Sequence, residues 1–256
     1  MSKLKSPIFL VYIVTFLFSF PPIVIKLLIQ DMSPNLILLS RFIFVAISYP
    51  IILKLLNKFN FQELFKITSK ELKHFFLLSF FLIADMLLFF HSLKFIDVTI
   101  ASFLFLTFPI FTLILARIFL NEKISLTDTI ATLISFLGLS IMFFQQFNLE
   151  NLLGQAMALS ASILFAFYII VNRKSSQSSN HYKKTNYLFL FNTLILSAVI
   201  LFSPQHIEYS FSKFNILLLA LLAIPFTLIP FTLQIYSIKY VKSSTFSMIL
   251  LISPIL

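Results

Sequence analysis

The fold is decided by two stretches, HSLKFIDVTIASFLFLTFPIF at residues 91–111 and YSIKYVKSSTFSMILLISPIL at residues 236–256, which align without a gap at an offset of 145 positions. Six of the 21 aligned positions are identical: Ser92/Ser237, Lys94/Lys239, Ser102/Ser247, Leu106/Leu251, Pro109/Pro254 and Ile110/Ile255. This match predicts an internal duplication of the chain. The second copy stops in the middle of an apolar run.

The composition indicates an integral membrane protein. Hydrophobic residues make up 59% of the chain, charged residues only 11%, and the mean hydropathy is +1.01. A soluble protein of 256 residues has no core large enough to hide that much apolar surface. The net charge of +10 is divided into small groups between apolar runs, which disfavours a soluble enzyme or a partner made of nucleic acid. Cysteine is absent, and the four His residues are scattered, so no metal site is predicted.

Eight apolar runs approach the length that a helix needs to cross a bilayer, and an incomplete ninth begins near residue 244. Residues 58–75 have an apolar helical face, which predicts either a helix along the cytoplasmic surface or an ordinary charged loop. The predicted spans are 7–29, 35–56, 74–93, 98–119, 124–145, 151–171, 185–203 and 214–237.

The basic residues predict an orientation with the N-terminus in the cytoplasm. In that orientation 15 of the 19 Lys and Arg residues lie inside, and only Lys26, Arg41, Lys94 and Lys213 fall in or near the outer half. Five predicted spans separate the two copies, so the copies must lie on opposite sides of the membrane. A duplicated unit with an odd number of spans is an inverted repeat.

Short motifs recur in a fixed order along nearly the whole chain. They are Ile25-Lys26, Arg41-Phe42, Ser92-Leu93-Lys94-Phe95, Ala101-Ser102, Pro109, Asn121-Glu122-Lys123-Ile124-Ser125, Gly154 and Ser237-Ile238-Lys239-Tyr240. In their order, and with the duplication, these motifs resemble the EamA-type branch of the drug/metabolite transporter superfamily. The chain departs from this pattern in having only two Gly residues, in Pro21-Pro22 within the first span, and in ending at Leu256.

The resemblance implies an all-α membrane protein built from two inverted five-helix repeats, with residues 1–147 in the first repeat and 148–256 in an incomplete second one. The ten-span family fold would be cut within the ninth span, and about 34 further residues would complete it. The resemblance also implies a secondary transporter of small metabolites, amino-acid-like or other organic solutes, working by alternating access. We expect the cytoplasmic membrane as its location, no cofactor, and protons as a possible coupling ion.

Asp85 is the clearest candidate for a functional residue. It lies mid-way along the third predicted span, in LIADMLLFF at residues 82–90, where insertion of a charge costs about 2.5–3.5 kcal/mol. As a cavity carboxylate it would bind a cationic solute or exchange a proton. The alternative is a structural carboxylate satisfied by neighbouring helices. His91 does not share a helical face with Asp85, so it is interpreted as an interfacial residue.

Other polar residues in the spans are weaker candidates for substrate binding. Gln234 follows Pro225 and Pro230, which remove backbone hydrogen bonds from the eighth span, and Tyr168 and Gln155 lie on the sixth. Lys26 and Arg41 are interpreted as anchors at the membrane surface. Gly154, Ala158, Ser162 and Ala166 give the sixth span a smooth face for close packing.

Two other functions compete with transport. An integral membrane enzyme acting on lipid-linked substrates would need acids, bases or metal ligands that converge at one depth, and the chain offers a single deep carboxylate. A truncated, inactive carrier is the other possibility. The sequence favours a transporter with no catalytic residues.

Overall fold

The computed structural model describes residues 7–56, 62–143, 151–177, 179–202 and 212–253. Within these ranges the regular secondary structure is helical, and no β-strand occurs. Among the described residues, seven helical stretches are long and apolar enough to cross a membrane, which confirms the predicted all-α membrane class. The helices are α1 (Pro7–Phe18), α2 (Pro21–Leu28), α3 (Pro34–Leu55), α4 (Gln62–Phe65), α5 (Ser69–Ser92), α6 (Val98–Phe105), α7 (Phe108–Leu120), α8 (Leu126–Phe143), α9 (Leu152–Ser175), α10 (His181–Leu201), α11 (Lys213–Ala223), α12 (Ile229–Ser237) and α13 (Ser243–Leu250).

Two helices begin earlier than predicted. The third span starts at Ser69 because Thr68 and Glu71 form a capping box, each side chain bonding the other's backbone N–H. Residues 69–75 of the segment predicted as a surface helix or a charged loop therefore belong to this span. Residues 62–65 form a separate single turn, and 57–61 lie outside the described ranges. The span predicted at 185–203 begins at His181 because the side chain of Asn180 caps it.

Proline residues interrupt three of the spans. The first span breaks between α1 and α2, before Pro21 and Pro22, and another breaks between α6 and α7, before Pro109. A π-helical turn at Ile224–Leu228 joins α11 to α12. Proline has no N–H and clashes with the carbonyl four residues earlier, so the helix must break or widen there. The predicted distortion of the eighth span by its prolines is confirmed.

The two similar stretches adopt the same local structure. Helix α5 ends at Ser92 and α12 ends at Ser237, while α6 covers Val98–Phe105 and α13 covers Ser243–Leu250, so every boundary differs by 145 positions. Both Ser carbonyls accept two backbone hydrogen bonds in the turn that follows. Residues 254–256, the end of the second copy, lie outside the described ranges.

Helices α5 and α9 pack together along their length at the centre of the bundle. The predicted small-residue face of α9 is confirmed, because its Gly, Ala and Ser positions are buried against α5, α6 and α7. Helix α10 packs on α3 and α5, and α1 packs on α12 and α13. We call the end of the bundle that holds Glu122 and Arg173 the Glu122 end, and the end that holds Asp31 and Asn215 the Asp31 end.

Candidate functional site

Asp85 lies inside the bundle on α5, with only 3% of its surface exposed. Its Oδ2 atom has no hydrogen-bond partner among the described residues. A buried carboxylate without a partner is unfavourable when ionised, so it needs either a proton or a cation. The interpretation of Asp85 as a carboxylate satisfied by neighbouring helices is not supported by its contacts in the described part of the chain.

Tyr168 and Gln234 meet inside the bundle. The Tyr168 hydroxyl on α9 donates a hydrogen bond to Gln234 Oε1 on α12, at 3.2 Å, and both side chains are fully buried. Asp85 lies on α5, which packs against α9. The Gln234 Nε2 atom has no partner among the described residues. We call Asp85, Tyr168 and Gln234 the Asp85 cluster; it offers an acceptor and a donor that are both unsatisfied.

Aromatic side chains surround the Asp85 cluster. The ring of Phe165 stacks on Tyr168 with 5.6 Å between centroids and meets Phe108 edge-on at 4.9 Å. On the α12 side, Phe231 contacts Phe18 at 5.4 Å. An interior of aromatic rings with a few polar groups suits the binding of a small organic molecule.

Gln155 does not belong to this cluster. It lies 13 residues before Tyr168 on α9, about 20 Å along the helix axis, and is partly exposed. His91 contacts the carbonyl of Leu87 on its own helix at 2.8 Å. Lys26 is exposed, as expected for an anchor at the membrane surface.

Arg41 corrects a prediction from the sequence. It was expected to anchor α3 at the surface, but its side chain turns inward and is 5% exposed. Its Nε donates a hydrogen bond to the hydroxyl of Thr227 in the π-helical turn. No ion pair reaches it among the described side chains. The signal in the sequence was a single charge within a long apolar run, which marks an intramembrane site more often than an anchor.

Two networks of charged residues at the Glu122 end were also missed. Arg173 Nε lies 3.3 Å from Glu122 Oε1, and the backbone N–H of Ser243 donates to Glu122 Oε2 at 3.1 Å. Arg173 Nη1 also donates to the carbonyl of Ile238 at 2.6 Å. We call Glu122, Arg173 and Ser243 the Glu122 network. In the second network, Lys183 Nζ lies 3.0 Å from Glu71 Oε1.

Lys184 was expected in a cytoplasmic loop, but it is fully buried in the first turn of α10. Its Nζ donates to the carbonyl of Asn172 at 2.7 Å and to Ser176 Oγ at 2.6 Å. These acceptors belong to the C-terminal end of α9, where the helix dipole favours a cation. Lys184 therefore stabilises the connection between α9 and α10.

Comparison with protein families shows where this arrangement belongs. The model of the EamA-like transporter family matches residues 5–144 and again residues 152–256. The chain belongs to the EamA-like transporter family. It is a multi-pass membrane protein of that family.

Two individual proteins extend the comparison. An uncharacterized transporter of Clostridium kluyveri is 25% identical over 162 residues, which cover 61% of this EamA-like chain and 52% of that protein. The matched segment thus spans about half the length of that relative. A protein of known crystal structure has a TM-score of 0.80 at 14% identity, over 97% of this chain and 85% of its own. That likeness concerns the fold alone.

Proposed function

We propose that this EamA-like transporter moves small organic solutes across the cytoplasmic membrane, with the Asp85 cluster as its binding and coupling site. The observation that carries the proposal is the buried Asp85 carboxylate, whose Oδ2 has no partner in the described chain. It lies on α5, while Tyr168 and Gln234 lie on α9 and α12. If the first repeat ends at residue 147, Asp85 belongs to the first repeat, and Tyr168 and Gln234 belong to the second. The cluster then lies between the two repeats.

Alternating access gives this location a role. When two packed units rock against each other, a site between them faces one side of the membrane and then the other. The equal helix boundaries at an offset of 145 support two repeats of the same architecture. In each cycle Asp85 would hold either a proton or a cationic group of the solute, because it has no other counter-charge among the described residues.

The experiment uses the 256-residue chain in proteoliposomes that contain a pH-sensitive dye. Amino acids, organic amines and organic carboxylates are added outside one at a time, and a solute exchanged for protons changes the internal pH. For a transported solute, we expect Asp85→Asn to reduce the rate about tenfold or more, since hydrogen bonds to charged groups contribute about 1.5–3 kcal/mol. The remaining rate should not depend on an imposed pH gradient.

Asp97→Asn is the matched control, because Asp97 is exposed at the start of α6 and its side chain makes no capping hydrogen bond. It should transport like the parent. Asp85→Ala separates a structural role from coupling by its effect on thermal unfolding. If Asp85→Asn keeps the parental rate and pH response while Asp85→Ala only lowers stability, Asp85 is structural and the coupling role is wrong.

A further inference from the structure

Arg41 forms a second polar site, separate from the Asp85 cluster. Arg41 as a residue is 5% exposed and its guanidinium carries a permanent charge, yet its only hydrogen bond to the described residues is the one from Nε to Thr227. The terminal nitrogens of Arg41 are left for another partner. A buried guanidinium is normally paired with an acceptor that carries a negative charge.

The described acidic side chains are engaged elsewhere or lie apart from Arg41. Asp31 Oδ2 accepts a hydrogen bond from Asn215 at 2.9 Å, and Glu71 and Glu122 pair with Lys183 and Arg173. The described part of the protein therefore supplies no anion to Arg41. An anion that enters and leaves with the solute would supply one.

An apolar cluster covers Arg41 on the side of the Asp31 end. Ile37 precedes Arg41 by about one turn on α3, and Leu222 precedes Thr227 on α11. Both residues belong to a buried cluster formed by Val24, Leu28, Met32, Ile37, Leu218, Leu219 and Leu222. The neighbours of Arg41 on this side are thus apolar, and a charge-assisted hydrogen bond is stronger in apolar surroundings than in water.

The site of Arg41 and the Asp85 cluster follow one another along the same span. Thr227, which binds Arg41, lies in the π-helical turn, and Gln234, which binds Tyr168, lies seven residues later on α12, about 10 Å further along the axis. Phe231 lies between them and is 2% exposed. Along this span the chain thus presents the hydroxyl that binds the Arg41 guanidinium, then an aromatic ring, then the amide that binds Tyr168.

We infer that Arg41 binds an oxyanion group of the solute, a carboxylate or a phosphate, while the apolar part of the solute packs against Phe231. The inference rests on the proposed transport function and defines the substrate class further. The planar guanidinium, held through Nε by Thr227, directs its remaining N–H groups toward such a group in the fork geometry that oxyanions accept. Thr227 itself is fixed because its hydroxyl donates to the carbonyl of Leu222 at 2.7 Å.

The test measures binding of one ring with different charged groups to the purified 256-residue chain in detergent, by calorimetry. The probes are benzoate, benzylphosphonate, benzylamine and benzyl alcohol. We expect benzoate or benzylphosphonate to bind, and the difference between them shows which oxyanion the site accepts. Arg41→Gln should weaken that binding about ten- to a hundredfold, because it removes a charge-assisted hydrogen-bond donor. Binding of benzylamine, which depends on Asp85, should remain.

Three further variants keep the outcome interpretable. Arg41→Lys keeps the charge but loses the planar pair of N–H donors, so it should bind the oxyanion probe less tightly than the parent. Thr227→Val keeps Arg41 and removes the hydroxyl that accepts its Nε–H, so this variant should also bind the oxyanion probe more weakly. It tests the inference independently of whether Arg41→Gln folds. Arg117→Gln is the control, since Arg117 is exposed on α7.

The inference is overturned if neither oxyanion probe binds, or if Arg41→Gln or Thr227→Val binds the oxyanion probe as the parent does. Loss of proton coupling in Asp85→Asn would still stand in either case, so the two proposals fail separately.

Discussion

Gly154 shows at the scale of one residue how α9 comes close to its neighbours. A Cβ atom placed on Gly154 would lie 2.7 Å from Phe95 Cβ and 3.0 Å from Ile96 Cγ2, in the connection between α5 and α6. The other glycine, Gly138 on α8, has no such neighbour within 4 Å. The two glycines therefore differ in packing while both lie in helices.

We predict opposite effects when each glycine is replaced by alanine. Gly154→Ala should destabilise the protein by about 1–3 kcal/mol, because Phe95 Cβ is attached to the backbone and cannot rotate away. Gly138→Ala should leave stability unchanged or raise it by about 0.5–1 kcal/mol through helix propensity. Thermal unfolding in detergent measures both. Equal shifts of Tm in the two variants would show that the contact at Gly154 is not tight.

At the scale of the elements, the Glu122 network joins three segments that are distant in sequence. Glu122 follows α7, Arg173 lies in the last turn of α9, and Ser243 begins α13. Asn121, the residue before Glu122, adopts a left-handed backbone conformation with φ of 53°, and this ends α7. In a transporter that alternates its access, such a network would hold the Glu122 end closed.

Removing the charge of Glu122 should open that end more often. The chain has no cysteine, so Ser237→Cys introduces a single thiol at a buried position near the Glu122 end. We expect Glu122→Gln to raise the rate of its reaction with a water-soluble maleimide about three- to tenfold, since the partly exposed ion pair contributes modestly.

Lys123→Gln is the control for the Glu122 network, because Lys123 is the exposed neighbour of Glu122. It should leave the reaction rate of the cysteine at the parental value. A rate that is the same in Glu122→Gln and the parent would contradict the closing role of the network.

At the scale of the whole molecule, the orientation in the membrane is a prediction from the distribution of Lys and Arg. It places the Glu122 end in the cytoplasm and the Asp31 end outside. Gln177 and Gln30 are exposed at these two ends and are neutral, so each can be replaced by cysteine without changing the charge balance.

In intact cells, we expect a membrane-impermeant maleimide to label Gln30→Cys directly and Gln177→Cys only after the membrane is opened. Tags at the N-terminus and between α9 and α10, within the predicted 175–184 loop, should likewise be cytoplasmic, and a tag in the predicted 205–212 loop external. The N-terminal residues and 203–211 lie outside the described ranges. Labelling of Gln177→Cys from outside would overturn the orientation and the inverted repeat that depends on it.

The sequence by itself determined the membrane class, most of the spans, the family resemblance and the distortion of the eighth span. Hydropathy and proline act within a few residues along the chain, so they can be recognised without the fold. Asp85 was recognised for a similar reason, because a charge inside an apolar run is unfavourable wherever the helix packs.

Only the tertiary structure decided which polar residues meet. Tyr168 and Gln234 are 66 positions apart, Arg41 and Thr227 are 186 apart, and Ser243 and Glu122 are 121 apart. The contact with Thr227 also turned Arg41 from a surface anchor into an interior charge. These pairings depend on how the helices are rotated and tilted against one another. Close packing of side chains over the whole bundle sets that rotation and tilt, and no local pattern of residues encodes them.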